Sequence, residues 1–208
     1  MGCAECSTVN CEYQDSTYPS FCQTLKLSEE EITEAKNCYL EEENRKISQV
    51  SAQIEAEFYG KYTRVEETIT FAKRMGFQRI GIATCVGLRR ESRVFAQILR
   101  NNGLEPVSVA CKVGAMEKTE VIGLDKEWTE RTGIIMCNPI LQAKILNRER
   151  TDLNVVVGLC VGHDSLFYKY SDALCTTLIA KDRALAHNPA GALYQSESYF
   201  RRVMENKE

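Results

Sequence analysis

The chain of 208 residues is long enough for one domain of ordinary size with a short appendage, and its hydrophobic content of 44% can fill that domain's core. No apolar run approaches the ~20 residues needed to span a bilayer, so no membrane partner is expected. The net charge of −3 arises from 26 basic and 29 acidic residues mixed along the chain, a balance that argues against nucleic acid or an anionic lipid surface as partner.

The N-terminus, Met1-Gly2-Cys3-Ala4-Glu5-Cys6, carries an acid and thiols where a secretory leader would need a basic end and an apolar stretch. Cys6 stands where a myristoylation signal prefers Ser or Thr, so lipidation is not expected either. The expected location is the cytoplasm. Ten cysteines in a chain of this size, with no secretory leader expected, point to metal ligation or thiol chemistry rather than to disulfides.

Residues 1–27 are polar, cysteine-dense and turn-rich, with Pro19 and no helical or strand period, so they cannot build a core of their own. From Ser28 the character changes to an α/β domain over 28–208, with a helical lead-in over 28–76. Ser28 and Glu31 form a capping box, and helix is expected to about residue 59, with an interruption allowed, on apolar positions that include Ile32, Tyr39, Ile47, Val50 and Ile54. A second helix spans 63–75 and is closed by Gly76.

Strand and helix then alternate. The run 79–84 reads as a buried strand, 89–101 as a helix ending at Gly103, and 105–110 as the next strand. Residues 112–133 form a polar connection with a helix start near Asp125, 134–136 a short extended piece, and 139–147 a helix with Pro139 in its first turn. The clearest strand is 153–159, followed by a short helix over 164–170, a last strand over 176–180 and a helical tail from Pro189. Continuous apolar strands separated by helices imply a parallel sheet covered on both faces. The expected fold is therefore α/β and three-layered, with about four strands in a Rossmann-like or flavodoxin-like order near 2-1-3-4.

Two groups of cysteines carry the chemistry. Cys3, Cys6, Cys11 and Cys22 follow the spacing C-x2-C-x4-C-x10-C. The two-residue step lets both sulfurs turn to one ion, and four thiolates suit tetrahedral zinc or an iron–sulfur cluster. A metal would also supply the folding energy that the leader lacks.

The second group follows from the strands. Cys85, Cys111 and Cys160 each fall just after a parallel strand, at the sheet edge where ligands of open α/β folds bind. Cys-Val-Gly occurs at 85–87 and again at 160–162, and Gly87 and Gly162 let main-chain N–H groups point at an anion. The same arrangement favours thiolates. Cys137, just before the Pro139 helix, is a candidate fourth ligand, and His163 a candidate ligand or acid–base group.

Cys38 and Cys175 read as packing thiols. Arg89 and Arg90, at a helix start, are candidates for an anionic ligand; Asp164 and Ser165 read as a helix cap, and His187 as structural. A phosphate-binding nucleotide motif is lacking.

Cys-Ala-x-Cys at 3–6, Gly-Ile-Ala-Thr-Cys at 81–85, Gly-Leu-Cys-Val-Gly-His-Asp-Ser at 158–165 and Ala-Lys-Asp-Arg…His-Asn-Pro at 180–189 together resemble a bacterial family, domain of unknown function 1847. The resemblance implies a cysteine-rich metal-binding protein and supports the site at Cys3, Cys6, Cys11 and Cys22, but brings no reaction with it. Two functions are expected from these residues. The first is a metal-binding protein holding zinc or an iron–sulfur cluster at both sites, with electron transfer or metal handling as its role and a redox protein as partner. The second is a thiol enzyme in which Cys85 or Cys160 is the nucleophile, His163 the acid or base, and the Gly87 and Gly162 amides an anion hole.

Overall fold

The computed structural model describes residues 2–13 and 17–205; position 1 and residues 14–16 of the cysteine-rich leader, and 206–208 of the tail, lie outside the described residues. The chain divides into two compact units, Met1–Ala56 and Glu57–Glu208.

In the first unit, single 3-10 turns at Cys3–Glu5 and Gln23–Lys26 precede two helices, α1 (Glu29–Leu40) and α2 (Glu42–Phe58). The helix expected over 28–59 is thus interrupted, at Glu41, whose ψ of 136° is extended. Ser28 caps α1 as expected: its Oγ accepts the Glu31 N–H at 3.1 Å while the Glu31 carboxylate accepts the Ser28 N–H at 2.8 Å. The apolar period of α1 is not used, since the helix buries no residue and both Ile32 and Tyr39 are exposed. In α2 only Val50 and Ile54 are buried.

The second unit carries the sheet. Helix α3 (Arg64–Met75) opens on a second capping box, Thr63 with Glu66, and ends at Gly76 in the left-handed conformation, φ +81°. Strand β1 (Arg79–Thr84) leads to α4 (Arg89–Asn101), β2 (Glu105–Ala110), a short α5 (Lys118–Val121), α6 (Pro139–Arg148), β3 (Leu153–Val157), α7 (His163–Tyr170), β4 (Leu174–Ile179) and α8 (Ala190–Tyr194). The four strands are parallel in the order β2-β1-β3-β4, as the alternation of strands and helices implies.

Successive residues of β1 serve opposite faces. Ile80 and Ile82 pack with Leu153, Val155 and Val157 against Ile69 and Ala72 of α3 and Phe95 and Leu99 of α4. Ala83 packs with Val109 and Val156 against Ala143 and Leu146 of α6 and Phe167 of α7. Helices therefore cover both faces, and burying each large aliphatic side chain contributes about 1.5–3 kcal/mol.

Asn154 interrupts this apolar pattern. It lies on the α6 side of β3, fully buried, with Oδ1 accepting from Thr151 Oγ1 and Nδ2 donating to Ser171 Oγ, each at 2.8 Å. Its register partner on β1 is Gly81, where a Cβ would come to 1.9 Å from Asn154 Oδ1. The glycine in β1 is there to admit a polar neighbour.

Two expectations are corrected. The helix expected near Asp125 is only a 3-10 turn, Lys126–Thr129. The tail from Pro189 holds one short helix followed by turns, because none of the described residues after Tyr194 is buried to fix a longer one. The short extended piece at 134–136 is present, as a single antiparallel bridge of Ile135 with Glu117.

Candidate functional site

All four strands finish at one edge, and the ends deliver sulfur, imidazole and cations to one cavity of about 970 Å³. Cys85 follows β1 directly, Cys111 follows β2, Cys160 and His163 lie in the turn from β3 to α7, and Lys181 and Arg183 follow β4. Cys137 enters from the start of α6. The strand order reverses between β1 and β3, so the cavity occupies the position at which such sheets bind ligands.

Local structure fixes these groups. The turn Val86–Leu88 aims its main chain at sulfur: the Gly87 N–H donates to Cys85 Sγ at 3.4 Å and the Val86 N–H to Cys111 Sγ at 3.5 Å. Gln142, fully buried on α6, ties the two strand ends together by donating to the carbonyls of Thr84 (3.2 Å) and Val109 (2.7 Å). Gly158 makes the turn after β3 at φ +68°, against Leu88, where a Cβ would come within 1.9 Å of Leu88 Cδ1.

The sulfurs act on one another in series. Cys111 has Cys137 on one side and Cys85 on the other, each of them shifting its thiol, and Cys137 is shifted in turn by His163. Cys111 is the member that keeps its proton, its thiol pushed up by these two neighbours and by burial. Cys85 is drawn down to about 5 by the Cys111 thiol, the Gly87 N–H and Lys181. Cys137 falls to about 4 through Cys111 and His163, with the charge of Lys112 assisting. His163 is raised by neighbouring Cys137. The row thus favours charge on Cys85 and Cys137 and a retained proton on Cys111 between them. Cys160 stands apart from the row, taking a hydrogen bond from Arg183 Nη2 at 3.1 Å.

The cations were not legible as site residues, although Lys181 and Arg183 belong to a block that stands out in the sequence. The turn that carries them is built by Asp182, whose Oδ1 accepts the N–H groups of Ala184 and Leu185 at 2.8 Å, and by His187, whose Nδ1 accepts the Asp182 N–H at 3.2 Å. His187 is structural. Gly162 starts α7 at φ +84°, and no hydrogen bond joins it to a sulfur among the described residues. Arg89 and Arg90 do not line the cavity.

In the leader the cysteines are less gathered. Cys6 is lowered by the Thr8 hydroxyl and the N–H groups of Val9 and Thr8, and Cys22 by the Thr24 hydroxyl and the N–H groups of Thr24 and Leu25. Cys6 and Cys22 feel each other's charge. Cys3 and Cys11 are exposed, and among the described residues they do not complete a metal-holding group with that pair. Cys38 is exposed rather than packed, whereas Cys175 packs at the rim of the core and its thiol is raised by burial.

The sheet-edge donors suit a thiophilic metal in kind, since thiolates, an imidazole and N–H groups directed at sulfur are what such ions and their surroundings use. Among the described residues no group of three or more His, Cys, Asp or Glu side chains is arranged so that it could hold a metal ion as it stands. No helix among the described residues is long and apolar enough to cross a membrane.

Residues 22–178 match the profile of the family described as protein of unknown function, DUF1847. The chain is also 44% identical, over 208 residues and 100% of both chains, to an uncharacterized protein of Methanocaldococcus jannaschii.

Proposed function

The chain belongs to the DUF1847 family, and from that premise we propose that it is a metal-binding protein whose principal centre is the row Cys85–Cys111–Cys137 at the sheet edge. The observation that supports this reading is the convergence of three sulfurs from three separate elements on one cavity, with main-chain N–H groups donating to two of them. Cys111 would have to give up its proton to serve as a ligand, so loading would release protons. His163 or Cys160 completes the donor set, and the Val86 and Gly87 N–H groups hold the sulfurs in orientation. Bound zinc would supply Lewis acidity, and a bound iron–sulfur cluster one-electron chemistry. The leader's Cys3, Cys6, Cys11 and Cys22 form a second, weaker candidate centre, closed only when metal draws Cys3 and Cys11 to the Cys6–Cys22 pair. The reading places the protein in the reducing cytoplasm, with a redox protein as partner if the centres are iron–sulfur.

The test is elemental analysis and an absorption spectrum of anaerobically purified full chain, beside the Cys111→Ser and Cys3→Ser variants. A metal equivalent lost in Cys111→Ser supports the sheet-edge centre, and a visible charge-transfer band identifies it as iron–sulfur. Wild-type protein prepared in this way with no bound metal would contradict the reading.

A second reading rests on Cys137 and His163 lining one cavity and shifting each other's protonation, which makes Cys137, rather than Cys85 or Cys160, the nucleophile paired with a base. Fast alkylation of Cys137 alone, unchanged by chelator, is the result that favours it.

A further inference from the structure

The cavity over the sheet-edge sulfurs holds more positive charge than the sulfurs use. Six cations line it, and among the described residues no aspartate or glutamate does. Three of the six face sulfur: Lys181 acts on Cys85, Lys112 on Cys137, and Arg183 donates to Cys160. The other three do not. Lys118 Nζ donates to Thr132 Oγ1 and the Gly133 carbonyl, both at 2.6 Å, so its charge is held in place by neutral acceptors without being cancelled. The side chains of Arg131 and Lys144 form no ion pair or hydrogen bond among the described residues, and both are exposed to the cavity. Like charges gathered around one concavity repel one another, and a concave low-dielectric wall focuses their field on whatever enters. Beside them the wall is apolar, formed by Val121, Ile122 and Leu141.

We propose that this cavity binds a small organic anion, its oxyanion group held by Lys118, Arg131 and Lys144 and its apolar body against Val121, Ile122 and Leu141, next to the sulfurs of Cys85 and Cys137. The volume, about 970 Å³, lies at the upper end of the range of small-molecule sites, so the occupant is a small molecule rather than a protein chain. This deepens the thiolate reading of the same site, because the anion is then the compound that the sulfur centre meets. Carboxylate, phosphate and sulfonate share the chemistry required. The charge argument counts only permanent cations that do not face sulfur, so it holds with the thiolate row loaded or empty.

The test is a fluorescence titration of the full chain with anilinonaphthalenesulfonate, an anion with an apolar body, and with uncharged phenylnaphthylamine. Both probes are also titrated against an Arg131→Gln/Lys144→Gln variant, whose altered side chains support no hydrogen bond in the fold. The sulfonate should bind about ten-fold more tightly than the neutral probe, and the variant should weaken it about five-fold while leaving the neutral probe within two-fold. Equal binding of the two probes, or a variant with unchanged sulfonate affinity, overturns the proposal. Metal content measured on the same samples separates the two claims. Metal-free protein that still shows the charge preference sinks only the metal reading, and metal-loaded protein without the preference sinks only this one.

Discussion

The leader and the sheet edge hold sulfur by opposite means. In the leader, Cys6 and Cys22 sit in short turns, their thiols lowered by nearby hydroxyl and N–H groups, with no buried residue among the described residues of the leader. At the sheet edge, Cys85 and Cys111 follow strands whose register is fixed by a fully buried core, and Gln142 ties the two ends together. Sulfur can be positioned by the ion it binds or by a fold that exists without it. The first costs conformational entropy that binding must offset, and the second spends that entropy during folding.

Chelation should separate the two most sharply. Removing metal under anaerobic conditions should release hydrogen-exchange protection through residues 2–13 and 17–27, while the amides of β1 and β3 stay protected to the global limit. Equal loss in both regions would mean that the sheet edge also depends on its ligand. A smaller effect tests the scaffold alone. Gly81→Ala drives a methyl into Asn154 Oδ1 and should cost about 1–3 kcal/mol in denaturant unfolding of the α/β unit, from overpacking beside a buried polar group. An unchanged midpoint would show that the strands give way more readily than their packing suggests.

The smallest effects come from the matched capping boxes. Thr63→Ala removes the cap of a helix with four buried residues and should lower global stability by about 1 kcal/mol, whereas Ser28→Ala should only fray α1, which buries none. Both glutamates of the boxes are held below the ordinary carboxylate range, chiefly by the cap residue's own N–H. A depressed folded-state value means that the box contributes above the usual carboxylate titration and is lost as acid protonates Glu31 and Glu66. The difference between Thr63→Ala and wild type should therefore shrink on acidification. A gap that widens in acid would contradict this.

The sheet was legible because its signals are local and redundant: continuous apolar runs, capping boxes, and glycines at helix ends. The grouping of Cys85, Cys111 and Cys160 on one edge followed from topology alone, since parallel strands must finish together. What was not legible is which groups touch. Cys137 and His163 reach the cavity beside Cys111, a placement that depends on how α6 and α7 pack on the sheet. Lys181, Arg183 and Lys112 carried no signal as site residues because nothing in a cation just past a strand end marks the direction it faces. The apolar period of α1 was misleading for a related reason. Periodicity reports a face that could be buried, and no residue of α1 is buried.

The central claim, sulfur ligation at the sheet edge, is tested most directly by X-ray absorption on a Cys3→Ser/Cys6→Ser variant, in which the leader no longer supplies four thiolates. The account predicts a bound metal with a sulfur shell at about 2.3 Å arising from three cysteines, lost when Cys111→Ser is added. A first shell of oxygen and nitrogen only, near 2.0–2.1 Å, would contradict it.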